Sequence, residues 1–275
     1  MEKMAVWASI LIIYGLSTGT AMHSAAHGSN HKLPLDMAEN SVDDMYNGCE
    51  KQMKDKVKTY LDNEKNSNQD FKQAWSDAEQ YYNEKWKPKP KKKHPTPLQK
   101  EQIMAIYVYT INKPQIYLDF NKACRSERYH YTTKFRYHAL HFYLTNALQI
   151  LKQEKKECNT SYRRVDAYFS TEVLNKEIRF GSFTSSSWGD YPSPEKFGNK
   201  SCFNITTCYG ADISRYSRVG ELEREVLIPP YEVFKVIEIQ KMESGDPCKV
   251  VYTLRSTSTC SNLNCALFTK QNMQN

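Results

Sequence analysis

No apolar run in the 275-residue sequence reaches the roughly 20 residues that a membrane-spanning helix needs. A multi-span membrane protein is therefore excluded. No two cysteines have the two-residue spacing of a zinc ribbon, and His138 and His141 lack a third histidine or a carboxylate at ligand spacing. That pair reads as structural, and no metal is expected. Charge of one sign is not abundant either, because 38 Lys and Arg against 31 Asp and Glu give only +7. So dilute an excess does not point to nucleic acid, and no nucleic-acid partner is expected. The ending also lacks the small residues, polar spacer and apolar tail of a lipid-anchored ectoprotein, closing instead on Ala266-Leu267-Phe268-Thr269-Lys270-Gln271-Asn272-Met273-Gln274-Asn275. With neither membrane span nor lipid anchor expected, the chain reads as released and soluble.

What is present begins with an export signal. Glu2 and Lys3 precede a thirteen-residue apolar stretch, Met4 to Leu16, followed by small residues through Gly19-Thr20-Ala21. The expectation is a signal peptide over 1–21 and a mature chain from about Met22. All eight cysteines lie beyond it: Cys49, Cys124, Cys158, Cys202, Cys208, Cys248, Cys260 and Cys265. An even number in a secreted chain argues for disulfides, although eight cysteines allow 105 connectivities and spacing does not choose among them. Sequons at Asn159-Thr160-Ser161, Asn199-Lys200-Ser201 and Asn204-Ile205-Thr206 are compatible with the same route and with a glycoprotein.

The hydrophobic pattern is helical first and β-rich last. Between Asp43 and Tyr82, apolar residues such as Met53, Val57, Tyr60 and Leu61 recur at helical spacing and predict two amphipathic helices. The segment Lys87 to Pro97 carries four prolines and a run of lysines; it reads as a solvated connector, with anion or glycan binding as the alternative. Helical spacing returns at Leu98 to Thr110 and is strongest from Phe135 to Leu151, where Leu140, Leu144, Ala147, Leu148 and Leu151 form one stripe. After Cys158 the pattern predicts strands at Ser161–Phe169, Arg179–Ser187, Cys202–Cys208, Glu225–Ile228, Tyr231–Ile239 and Lys249–Leu254. The fold class is α+β, a single domain over 22–275 with about 35–155 mainly helical and 156–265 mainly β.

Three pieces of the β-rich half carry chemistry. Arg163 and Arg164 are neighbours on a predicted strand and so point to opposite faces, which sends at least one guanidinium inward to meet an anion. Ser185-Ser186-Ser187 closes a second strand with hydroxyls. Glu223 and Glu225 flank one residue, which places their side chains on one side of an extended chain about 7 Å apart.

In this order the pieces resemble the Arg, Ser-x-Ser, Glu-x-Glu pattern of the arginine-specific mono-ADP-ribosyltransferase ectoenzymes. The likeness extends over nearly the whole mature chain. It takes in Leu35-Asp36-Met37-Ala38, Tyr46-Asn47-Gly48-Cys49, Phe120-Asn121-Lys122-Ala123, Arg179 to Ser187, and Glu223 to Val233. The resemblance implies a helical part packed on a mixed β-sandwich, no permanently bound cofactor, and NAD as co-substrate. It also implies roles. Arg163 would grip the NAD phosphates, Ser185 would fix the nicotinamide ribose region, Glu225 would face the cationic transition state, and Glu223 would orient the acceptor guanidinium. Phe197 matches an aromatic that packs on nicotinamide, and Ser217 a cofactor-contacting serine. Disulfides Cys49–Cys265 and Cys158–Cys208 are implied in the same way. Two residues depart from the pattern: Arg164 stands where Gly is usual and Ser182 where Gln is common.

The expected activity is transfer of ADP-ribose from NAD to arginine side chains of extracellular proteins by a monomeric, secreted enzyme. The alternatives are a secreted NAD glycohydrolase, against which Glu223 argues, and an inactive basic binding protein, against which Arg163, Ser185 and Glu225 argue.

Overall fold

The structure is a computed structural model and describes residues 32–88, 96–155, 157–218, 220, 224–243 and 248–268. The signal expected over 1–21 and most of the proline-rich connector lie outside them.

Helix α1 (Glu50–Ser67) buries Met53, Val57, Leu61 and Glu64, one stripe at helical spacing. It ends at Asn68, whose extended backbone breaks the helix and whose side chain accepts from the Phe71 N–H at 3.0 Å, starting α2 (Gln69–Lys85). Helix α3 (Lys100–Thr110) is buried from Gln102 to its end and forms the centre of the helical layer. Helices α4 (Ile116–Ser126) and α5 (His138–Glu154) complete it. The stripe expected on α5 is buried at Leu140, Leu144, Ala147 and Leu148, with Leu151 half-buried.

The remainder folds into strands β1 (Asn159–Val165), β2 (Glu177–Ile178), β3 (Thr184–Trp188), β4 (Ser201–Thr207), β5 (Ala211–Asp212), β6 (Glu225–Ile228), β7 (Glu232–Lys241) and β8 (Val250–Thr259), with a short helix α6 (Pro194–Phe197). They form one mixed eight-stranded sheet in the order β2-β7-β8-β4-β1-β3-β6-β5, with β4 and β8 parallel and the other neighbours antiparallel. Alternation splits the core between the two faces. Leu227, Phe183 and Ala211 join the helical core, while Val226, Ile228, Phe203, Ile205, Phe234 and Tyr252 build a second core on the other face.

One predicted strand begins later than expected, at Thr184. The stretch Arg179–Ser187 is interrupted at Gly181, which has φ +71° and against which Ala38 packs so closely that a Cβ on Gly181 would lie 2.6 Å from the Ala38 Cβ. The turn there also carries Arg179 inward, where its guanidinium donates to Asp43 at 2.6 Å, with both side chains fully buried. That ion pair fastens the N-terminal segment to the sheet. Hydrophobic alternation gives no sign of the short β5 and α6.

Candidate active site

The site lies where the sheet comes apart. β1 and β3 pair only at Ser161 with Trp188 and Tyr162 with Ser187, while β1 stays paired with β4 as far as Val165. Beyond Tyr162 a seam opens between β1 and β3. Arg163 is the next residue, and its Nη1 crosses the seam to donate to the Ser185 carbonyl at 2.6 Å. On the other side β3 remains paired with β6, Ser187 opposite Glu225 and Ser185 opposite Leu227. Ser185, Ser187, Glu225 and Leu227 therefore share the face that looks toward the helices. Glu225 is only 4% exposed, so its carboxylate sits in a setting where charge interacts strongly.

Tyr109, at the end of α3, lies under this group. Its hydroxyl donates to the Phe183 carbonyl at 3.0 Å and accepts from Asn121 Nδ2 at 3.0 Å. Burial pushes its pKa up to about 12; the hydrogen bond from Asn121 opposes this, the Glu225 charge adds to it, and Ser185 and Arg163 oppose it. One neutral phenol thus feels the electrostatic influence of all three motif residues. For Arg163, burial draws the pKa down to about 10, with Tyr109 opposing and Arg125 reinforcing the shift, so it remains a cation at neutral pH.

Next to the seam is a cavity of about 520 Å³, lined by Arg163, Arg125, Ser182 and Thr184 among others, with residues 34–40 along one side. Phe169, Phe180, Phe183 and Phe203 give it apolar walls. Arg125 Nη1 donates to Ser182 Oγ at 2.9 Å. Arg179 also borders the cavity but is engaged with Asp43, the Met37 carbonyl and the Cys260 carbonyl. Two guanidiniums in an aromatic-walled cavity of this size suit an anionic, ring-bearing ligand.

The sequence-expected residues divide into those that meet here and those that do not. Arg163, Ser185 and Glu225 meet across three adjacent strands. Arg164 turns the other way: it is buried, its guanidinium lies 5.2 Å from the Tyr191 ring centroid, and Nη1 is 3.4 Å from Cys248 Sγ. It is not among the residues lining the cavity beside Arg163. Phe197 is half-buried on α6, held near the end of β1 by the close packing of Gly198 on Asp166, and it does not line that cavity. Ser217 is buried on the helical side, its hydroxyl accepting from the Gly220 N–H at 3.1 Å to close a turn ahead of β6. Glu223 lies outside the described residues.

Three disulfides are present. Cys49–Cys265 and Cys158–Cys208 are the expected pairs, and Cys202–Cys248, which spacing left open, is the third. Cys124 and Cys260 are free thiols. The histidine pair is part of the core. Burial lowers both pKa values to about 4, so His141 is neutral; its Nε2 donates to the Val42 carbonyl at 3.1 Å and its Nδ1 lies 2.9 Å from Tyr46 Oη. Sequence reasoning missed Tyr109 and Arg125. The available signal for Tyr109 was a tyrosine near the end of a helix too apolar to have a solvent face.

The family model described as NAD:arginine ADP-ribosyltransferase matches residues 35–261. The chain belongs to the NAD:arginine ADP-ribosyltransferase family. Among curated relatives of this ADP-ribosyltransferase, human ecto-ADP-ribosyltransferase 5 is 36% identical over 244 residues, covering 85% of this chain and 80% of the relative. Mouse GPI-linked NAD(P)(+)–arginine ADP-ribosyltransferase 1 is 32% identical over 280 residues, covering 96% and 84%. Among solved structures, the eucaryotic mono-ADP-ribosyltransferase ART2.2 matches with a TM-score of 0.70 at 33% identity, covering 85% of this chain and 98% of that one. A variant of ART2.2 in complex with NAD matches with a TM-score of 0.68 at 31% identity over the same shares.

Proposed function

We propose that Arg163, Ser185 and Glu225 carry out the family's reaction in this chain, moving ADP-ribose from NAD to the guanidinium of arginine and releasing nicotinamide. The bond between ribose C1′ and the nicotinamide nitrogen breaks with its electron pair leaving on nicotinamide. A guanidinium nitrogen of the acceptor then bonds to C1′ and gives up a proton. Between the two events C1′ carries positive charge, and a buried carboxylate held in advance is the group that stabilises it. Glu225 is that group in this reading. Arg163 has the fixed fork of donors that suits a pyrophosphate, and it stands at the cavity with Arg125 nearby. Ser185 would hold the ribose end. For Phe197 and Ser217 the assignment to the cofactor rests on sequence position alone, and so does that of Glu223 to the acceptor.

The observation that carries the reading is the open seam, where Arg163 reaches the Ser185 backbone and Glu225 stands one strand further on. Three disulfides support a site of action outside the cell, since such bonds persist in oxidising compartments. No helix among the described residues is long and apolar enough to cross a membrane. Release as against surface anchorage is decided by fractionation: a released enzyme is recovered from the medium, an anchored one from membranes.

The division of labour between the two glutamates is tested with Glu223→Gln. Removing the charge that meets the incoming guanidinium while leaving Glu225 in place should lower agmatine adduct and spare NAD cleavage by water. A parallel fall in both products would mean that the two glutamates act as one unit.

A further inference from the structure

Strand β3 has a cavity at each end. Thr184, its first residue, lines the cavity beside Arg163, whereas Trp188, its last, and Gly189 line a second one of about 660 Å³. Three residues of strand lie between the two, and the four steps from Thr184 to Trp188 span about 13 Å. Glu225 pairs with Ser187 between them, and Arg224, the residue before it, borders the second cavity. Nothing in the reaction described above uses that space.

Its walls are cationic. Lys152 and Lys155 come from the end of α5, Arg215 from the loop after β5, and Arg224 from the approach to β6, against the carboxylates Glu154 and Asp212. Asp212 is partly occupied, its Oδ1 accepting from the Ser214 N–H at 2.9 Å. Among the described residues none of the four cations forms an ion pair within 4 Å. Lys152 donates to the Glu157 carbonyl. Arg215 is steadied over the Trp86 ring at 5.1 Å. Arg224 holds the left-handed conformation at φ +47°, and its guanidinium lies across Gly189, where a Cβ would come within 3.1 Å of Nη1. Gly189 thus leaves room for a guanidinium at the mouth.

We propose that this second cavity receives an acidic stretch of the protein substrate next to its acceptor arginine. The proposal rests on the reading of Glu225 as the reacting centre. An arginine presented to Glu225 carries neighbours spaced by about 3.3 Å each in extended chain, so residues within about four positions fall against these walls. Aspartate or glutamate there meets cations that no carboxylate of the described residues holds within 4 Å, which speeds encounter and fixes register, and lysine there is repelled.

The test uses the full mature chain, NAD, and three acceptors: agmatine, an extended peptide with one arginine flanked by glutamates, and the same peptide with lysines in place of the glutamates. At low salt kcat/KM for the acidic peptide should exceed that for the basic one by about tenfold or more, and the gap should narrow as salt is added. The double variant Lys155→Glu, Arg215→Glu should remove the preference and leave agmatine transfer unchanged. Equal kcat/KM for the two peptides, or a preference that survives the charge reversal, would overturn the proposal. Absence of any agmatine adduct with wild type would instead refute the transferase reading. In that event binding of fluorescein-labelled peptides, followed by anisotropy, still decides the cavity's role. Tighter binding of the acidic peptide that is lost in the double variant supports it, and equal binding overturns it.

Discussion

Arg163 is the residue on which two roles converge, because its guanidinium both closes the seam onto the Ser185 carbonyl and borders the adjoining cavity. Arg163→Lys keeps the charge but replaces a planar fork with a single ammonium, so the KM for NAD should rise by about 10- to 100-fold. Steady-state kinetics at varied NAD check this, and an unchanged KM would make Arg163 structural. Tyr109 is more nearly a support: Tyr109→Phe leaves the buried Phe183 carbonyl without its donor and should cost about 1–3 kcal/mol in a urea titration. The difference between these residues explains what could be read from sequence. Arg163, Ser185 and Glu225 are legible through the resemblance of their order to a family pattern, each being uninformative alone, whereas Tyr109 and Arg125 reach the site from helices that carry no such pattern. Arg164 shows the same limit from the other side, since only the fold reveals that it packs on Tyr191 and the Cys202–Cys248 bridge.

At the scale of elements, periodicity located α1, α2, α3 and α5 because each buries one stripe or a whole surface. It did not place the break at Asn68, it missed β2, and it began β3 at Arg179 instead of Thr184, because the left-handed turn at Gly181 leaves no mark on hydrophobic alternation. Asn68→Ala removes the side-chain acceptor at the start of α2 and should cost about 1 kcal/mol. The N-terminus of α5 is capped from outside. Glu64 on α1 accepts from the backbone N–H groups of Ala139 and Leu140 at 2.6 and 3.3 Å, and burial, opposed by those two bonds, raises its pKa from 4.5 to about 8. Because the folded state holds this proton longer than the unfolded chain, the associated stability is full below about pH 4.5 and is lost as pH rises through 8. Asp44, raised by burial from 3.8 to about 6, acts in the same sense at lower pH. His138 and His141, lowered from 6.5 to about 4 by burial, act oppositely: their contribution is full above 6.5 and is lost as pH falls through 4. Stability should therefore peak near neutrality and decline toward pH 8.5 through Glu64. Denaturant titrations of Glu64→Gln should be flatter than wild type between pH 6.5 and 8.5, and an equal slope would contradict the assignment.

In the whole molecule, the N-terminal segment is tied to the rest by two links between residues far apart in the chain. Cys49–Cys265 spans 216 residues and the buried Asp43–Arg179 pair spans 136. Replacing both Cys49 and Cys265 by serine should cost about 2–5 kcal/mol, read from thermal or urea unfolding. Residues 34–40 line the cavity next to the seam between β1 and β3, and in the proposed reaction Glu225, buried one strand beyond that seam, is the reacting carboxylate. The most direct test of that claim is the yield of ADP-ribosyl-agmatine and nicotinamide from labelled NAD, compared between wild type and a Glu225→Gln variant whose circular dichroism matches it. The account predicts adduct from wild type and a loss on the order of 10²–10³ in turnover for the variant. A variant that keeps more than about a tenth of the wild-type rate, well outside that range, would contradict it.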